Sequence, residues 1–538
     1  MRGGELARTI LTNCRVRTMD AADRVVSAIA VDGDRIVALG GAALALTGTV
    51  EDLGGATVVP GLVDAHNHLL HTGQVLQQVQ LFDCRTIGEI VERVAAQART
   101  APPGTWICGR GWDESLLVER RHPTRHDLDP VSPLHPVVLE RVWNKLVCNS
   151  RALALAGISQ ATPDPGGELY AGSFERDRDG APTGLFRDRA KELILRHVPA
   201  PGPAERVAAI ETACRAYNAV GLTAVCEPGL HPHEIASYQD ADREGRLSMR
   251  VDLMIAAWGW GTTAEEVLLR ERLAQVGVQT GFGGSRLRLG GIKMLPDGGI
   301  GDRTARVFEH YLGEPDNRGS WVVDPGELPD LVRFAHDHGW AIDTHTCGDE
   351  AQELTVAAYA AAQEANPKPW LRHRVHHAYF PTPVTLERMA RHRIAAVVSN
   401  PVLRYLAESF VTSLGEDRAR SAMPMRTYLD HGVPLAGSSD APVSDFNPWI
   451  GMQAACTRVT EAGRALDPAE RITPFEALQS YTTGGARVIG RERDLGSLEV
   501  GKRADMVVLP LDPLAIAPDQ LGSIRPLRTM VGGSWSRP

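Results

Sequence analysis

Thr57-Val58-Val59-Pro60-Gly61-Leu62-Val63-Asp64-Ala65-His66-Asn67-His68 is the stretch whose reading decides the fold. Its apolar run has the continuous character of a strand covered on both faces, as in a parallel barrel. A strand alternates its faces, so His66 and His68 are expected to point the same way from its end. Two imidazoles side by side can hold one divalent metal. Catalytic groups of parallel barrels sit where the strands end. The bare H-x-H spacing is weak, because 18 histidines in 538 residues produce about 0.6 such pairs by chance. Two others exist and their context rejects both. His336 and His338 fall in a helical pattern, where residues two apart diverge. His231 and His233 flank Pro232 in a loop, where a polar loop at the barrel mouth is the simpler reading.

Outward from this stretch, strand-like runs alternate with helical patterns. The runs are Val58–His66, Leu222–Cys226, Arg250–Ala256, Leu287–Met294, Ala341–His345, Arg372–His377, Ile394–Ser399 and Pro434–Ser439. Helical patterns such as Ala204–Val220, Ala264–Val276, Glu327–His338 and Asp349–Ala365 separate most of them. Eight such units predict an α/β fold, a (β/α)8 TIM barrel over residues 60–490. Short strand patterns at both ends, with an Asp32-Gly33 hairpin signal between two of them, predict one small composite β-sandwich from residues 1–59 and 491–538. The interval between the first two barrel strands is too long for one helix. Residues 73–200 are therefore expected to form an insertion subdomain at the barrel mouth that shapes the site.

Composition narrows the function classes. The apolar fraction is 43% and the net charge is −9. No basic patch with interleaved aromatics is present, so no nucleic acid is expected as a partner. No apolar run is long enough for a membrane span and Met1–Arg8 lacks an apolar signal core, so no membrane association is expected. The eight cysteines are scattered without a C-x-x-C pair, which points to reduced, buried residues of a cytoplasmic protein. The sequence does not decide between a monomer and a homodimer.

Polar groups recur at the ends of the predicted strands: His66 and His68, Lys293, His345, His377, and Asp440 just after the eighth. A lysine at a buried strand end is costly unless paired or neutralised. A carbamate would neutralise it and offer two oxygens to bridge two metals. These residues carry a resemblance. The chain resembles the amidohydrolase superfamily along nearly its whole length, through the Val59–His68 signature, the terminal strands and the closing Gly496-Ser497-Leu498-Glu499-Val500-Gly501-Lys502-Arg503-Ala504-Asp505. Within the superfamily it is similar to the branch of N-substituted formamide deformylases and YtcJ-like proteins. The branch markers are Gly109-Arg110-Gly111-Trp112-Asp113, Asn149-Ser150-Arg151-Ala152-Leu153, Lys293 with Asp297-Gly298-Gly299, and Gly437–Pro442.

The resemblance implies that His66 and His68 bind the more buried metal, that carbamylated Lys293 bridges, and that His345 and His377 bind a second ion. It also implies that Asp440 contacts metal and moves the proton from the attacking water to the leaving nitrogen. One or two Zn2+ per chain is the expected cofactor, since zinc suits nitrogen-rich sites. The branch usually has Glu-His where this chain has His376-His377. Adjacent strand residues face opposite ways, so one of the two is expected to ligate, His377 in preference to His376. Trp112, Asp113, Trp258, Trp260 and Asp297 are expected to contact a small-molecule substrate, the indoles as a wall for an aromatic or apolar group. The predicted function is metal-dependent hydrolysis of a C–N bond: amide, N-acyl or N-formyl. Hydrolysis of a cyclic amide, carbamate or ester, decarboxylation or deamination, and a non-catalytic binding role stay open.

Overall fold

The structure, a computed structural model, describes residues 8–536 except 113, 115–116, 142–144, 166–171, 258–270 and 272. Eight parallel strands follow one another in chain order: β1 Leu62–Asp64, β2 Leu222–Leu230, β3 Arg250–Ala256, β4 Leu287–Met294, β5 Ile342–Thr346, β6 Arg374–His377, β7 Ala395–Ser399 and β8 Leu435–Ser438. Backbone hydrogen bonds from Ala65 N to Gly437 O (3.2 Å) and from Asp440 N to His66 O (3.0 Å) join the two ends of this sheet. The result is the (β/α)8 barrel, with the chain between successive strands returning through helices such as Leu328–Asp337, Asp349–Ala365 and Pro383–His392. The last of these shows why helices form where they do. The Thr382 side chain caps Thr385 N, Pro383 takes the first turn, and Arg393 closes the helix at φ 53°.

The opening stretch is not one strand. Thr57–Pro60 pairs with Met506–Leu509 and with Arg15–Arg17, while Leu62–Asp64 pairs with β2. The chain passes from one sheet to the other at Gly61, where a Cβ would stand 2.2 Å from Thr223 Oγ1. Only glycine allows that approach.

Strands from both chain ends make two sheets. One is ordered Arg35–Leu39, Ile29–Asp32, Thr9–Thr12, Thr49–Asp52, and the other contains Arg15–Arg17, Thr57–Pro60, Met506–Leu509 and Arg528–Val531. They share a core that includes Leu11, Val16, Ile29, Val31, Val58, Met506 and Val508. These sheets and the barrel form one compact unit, residues 1–69 and 213–538. Residues 70–212 form a second, wider than the 73–200 expected, because the helices Leu69–Leu76 and Pro203–Ala219 run across its limits. The second unit has its own six-stranded sheet and its own apolar clusters. Among the described residues no helix is long and apolar enough to cross a membrane.

Candidate metal centre

β1 stops at Asp64, so His66 and His68 stand on the turn after the strand. Fully buried Asp64 holds that turn. Its Oδ1 accepts from His66 N (3.2 Å) and Ser439 N (3.1 Å), and its Oδ2 accepts from Asn67 Nδ2 (3.0 Å) and Ser439 Oγ (2.6 Å). Burial pushes the Asp64 carboxyl up to about 6 against the pull of these donors. One carboxylate thus ties the His66–His68 turn to the segment that carries Asp440.

The two imidazoles stand edge to face, with centroids 5.5 Å apart. His66 Nε2 and His68 Nε2 each lie 3.5 Å from Asp440 Oδ1, and Lys293 Nζ lies 3.4 Å from His66 Nε2. Tetrahedral ligands on bonds of about 2.1 Å stand about 3.4 Å apart, so this spacing fits a shared zinc-sized ion. Burial would raise the Asp440 carboxyl, but the hydrogen bond from His68, whose own pKa is raised by the pair, holds it well below the usual carboxylate range. Burial, with Lys293 adding to it, pushes His66 down to about 3, which keeps it in the neutral, ligating form.

On β5 and β6, His345 Nε2–H donates to the Gly298 carbonyl (3.0 Å), which leaves Nδ1 bare. That atom lies 3.0 Å from His377 Nε2, and Tyr379 Oη lies 3.0 Å from His377 Nδ1. Burial and Lys293 push His345 down to about 4. The expectation that only one of His376 and His377 could face the site fails. His377 has φ 70° and Ala378 φ 51°, so strand alternation ends at His377. The two rings sit on the same side, with centroids 3.8 Å apart. His376 stacks on His66 at 3.3 Å and reaches Ser399 Oγ through Nε2 (2.9 Å). Its buried Nδ1 has no hydrogen-bond partner. Among the described residues, two sets of three side chains have ligand atoms within 4.8 Å of one another, His345–His376–His377 and His66–His376–Asp440, and His376 belongs to both. An orphaned imidazole nitrogen within a nitrogen-rich donor set fits a metal.

Other expected residues stand elsewhere. Trp112 is fully buried in the core of the second unit with Leu81, Ile87 and Leu117, so its indole has no surface for a substrate. Asp297 is also fully buried. It accepts from Arg306 N (3.0 Å), Gly348 N (2.8 Å) and Cys347 N (3.3 Å), with His345 Nε2 3.7 Å away. It anchors the chain around His345 and has no surface to offer a substrate, and burial pushes its carboxyl up to about 7. Asp113, Trp258 and Trp260 lie outside the described residues. Of the rejected pairs, His231 caps a helix and its ring lies parallel to that of His233 at 6.0 Å, while His336 bonds to His373. Sequence reasoning missed Asp64, Asp343 and Arg374, three buried charges without a local pattern of their own. The signal available for Asp64 was a charged residue ending an otherwise apolar strand, whereas Asp343 and Arg374 lie in strands already rich in polar residues.

The amidohydrolase family matches residues 49–535. The chain is 32% identical over 552 residues to an N-substituted formamide deformylase of Arthrobacter pascens, covering 97% of each chain. It is 32% identical over 489 residues to YtcJ of Bacillus subtilis, covering 89% of each. Among solved structures, an uncharacterized metal-dependent hydrolase from Pyrococcus furiosus superposes with a TM-score of 0.77 at 28% identity, covering 94% of this chain and 100% of that one. With the barrel and the clustered histidines already in place, these matches show that the chain belongs to the amidohydrolase family, as a hydrolytic enzyme acting on carbon–nitrogen bonds other than peptide bonds.

Proposed function

We propose that the protein hydrolyses an amide, N-acyl or N-formyl bond of a small molecule, using divalent metal at this centre, zinc by preference. The observation that carries the reading is Asp440 Oδ1 at 3.5 Å from both His66 Nε2 and His68 Nε2, beside a buried lysine. His66, His68 and Asp440 would hold one ion, and His345 with His377 a second. His376 has a donor atom within reach of either set. Lys293, as its carbamate, would bridge. A divalent ion held there supplies Lewis acidity, which activates water near neutral pH and polarises a scissile carbonyl.

The chain's own groups do the rest. The imidazoles of His66, His345 and His377, held neutral by burial, have nitrogen lone pairs for the ion. Asp440, held anionic, accepts the proton of the attacking water and delivers it to the leaving nitrogen. The N-formyl option is supported by the likeness to the formamide deformylase over 97% of both chains. The eight free cysteines suit a reducing compartment, in keeping with a cytoplasmic site of action. The test is zinc-loaded protein against N-substituted formamides, N-acyl amines, cyclic amides and esters, with release of amine and acid followed separately. Amine release from the formamides or N-acyl amines is expected. Turnover of the esters alone would overturn the C–N assignment.

A further inference from the structure

We infer that Asp343 is a positioning residue that orients both His66 and Lys293 toward the metal, and that the barrel keeps Arg374 in its interior to hold Asp343 in place. This rests on the reading of His66 as a metal ligand. Three consecutive strands set Lys293, Asp343 and Arg374 side by side in register, Lys293 opposite Asp343 and Asp343 opposite Arg374. All three are buried, at 3%, 0% and 1% exposure. Asp343 Oδ2 accepts from His66 Nδ1 at 3.0 Å and from Arg374 Nε at 3.2 Å. A carboxylate only accepts, so the proton of His66 sits on Nδ1. Its Nε2 is left bare toward Asp440 and Lys293. Asp343 Oδ1 is buried without a hydrogen bond and lies 3.7 Å from Lys293 Nζ. The lysine nitrogen faces it with an N–H either as an ammonium or as a carbamate, at ion-pair rather than hydrogen-bond distance.

Packing does not account for Arg374. Beyond Asp343, its guanidinium reaches the Val488 carbonyl (3.3 Å) and the sulfurs of Cys226 (2.9 Å) and Met254 (2.7 Å). Sulfur is a weak acceptor. A buried ion pair is commonly no more stable than the apolar pair that would replace it. What the pair supplies is orientation: a carboxylate behind a ligating imidazole fixes its tautomer and raises its basicity.

The experiment is zinc binding by competition with a chromophoric chelator, in the wild type and in Asp343→Asn. One orientation of this variant's amide sets an N–H against His66 Nδ1 and Arg374 Nε, and the other sets it toward the Lys293 nitrogen and removes the negative charge facing it. Zinc affinity should fall about 10–100-fold, with far-UV circular dichroism unchanged and KM unaltered at saturating zinc. A wild type that takes up no zinc overturns the metal reading and this inference with it. A wild type that binds zinc beside a folded Asp343→Asn chain that binds within about threefold as tightly overturns this inference alone. Should Asp343→Asn not fold, the 15N-histidine spectrum of the zinc-loaded wild type decides, with His66 assigned by difference from His66→Gln. A proton on Nδ1 supports the inference, and one on Nε2 overturns it.

Discussion

The ends of the first and sixth barrel strands each bring two histidines to the centre, by opposite means. After β1, His66 and His68 are two residues apart on a turn, and their backbone lies outside the left-handed region. Hydrogen bonds to Asp64 aim them. At the end of β6, His376 and His377 are adjacent, and a strand would send them to opposite faces. The left-handed backbone at His377 turns its ring back beside His376. A non-glycine residue in that region costs on the order of 1–3 kcal/mol and persists where its surroundings over-determine it. Here Tyr379 and His345 grip the ring from both nitrogens. Spacing therefore reports side-chain direction only while the backbone keeps the strand period.

Metal removal should have the largest effect on both ends. Exhaustive chelation is expected to abolish turnover while leaving a cooperative melt, and added zinc should restore activity. Full turnover in metal-free protein would make both histidine pairs structural. Next in size is Asp440→Asn, which keeps the shape and loses the base. A fall in kcat of about 10²-fold or more is expected, with most zinc retained. A near-normal rate would move the proton role to another group. A smaller effect separates the two ends by backbone. Asn tolerates left-handed φ and Val does not, so His377→Val should be less stable than His377→Asn by about 1 kcal/mol or more. No such gap is expected between His68→Val and His68→Asn. Equal Tm values for the His377 variants would contradict the left-handed assignment.

A third imidazole pair supplies the control and the smallest expected effect. Ile342 N–H donates to His373 Nδ1 (3.2 Å), His373 Nε2–H donates to His336 Nδ1 (2.8 Å), and His336 Nε2–H donates to the Asn366 carbonyl (2.7 Å). Every ring nitrogen is used, unlike His376 at the centre. Burial, His336, Arg374 and Lys368 push His373 down to about 3. The unfolded chain titrates near about 6.5, so between these values the unfolded state binds more protons and stability rises with pH. The contribution of this pair is complete above about pH 6.5 and is lost as pH falls toward 3. Denaturant melts at pH 7.5 and 5.5 should show that loss, and His373→Gln should reduce the slope. An unchanged slope would mean that other groups carry it.

Much of the molecule was legible from local pattern. The order of the eight strands and most of their positions were readable, because apolar runs and helical periods are local and each barrel strand pairs with the next in sequence. The break at Gly61 was signalled by the Pro60-Gly61 dipeptide but hidden by the equally apolar run on either side of it. At the centre, the imidazoles, Lys293 and Asp440 were picked out as polar groups ending apolar runs, and the structure gathers them. Trp112 misled because an indole near a branch motif looks the same in sequence whether it packs in a core or lines a pocket.

By itself the sequence determined the barrel and the strand ends that bear polar groups, since these follow from periodicity, and it carried the motifs through which the chain resembles its family. Only the tertiary structure decided that His376 and His377 share one side, because a single backbone angle controls that and no periodicity encodes it. Only the closed barrel set Asp343 against His66, 277 residues away, and beside Lys293 and Arg374. Buried charges meet their partners across strands, and a pairing between distant segments exists only once the ring has closed.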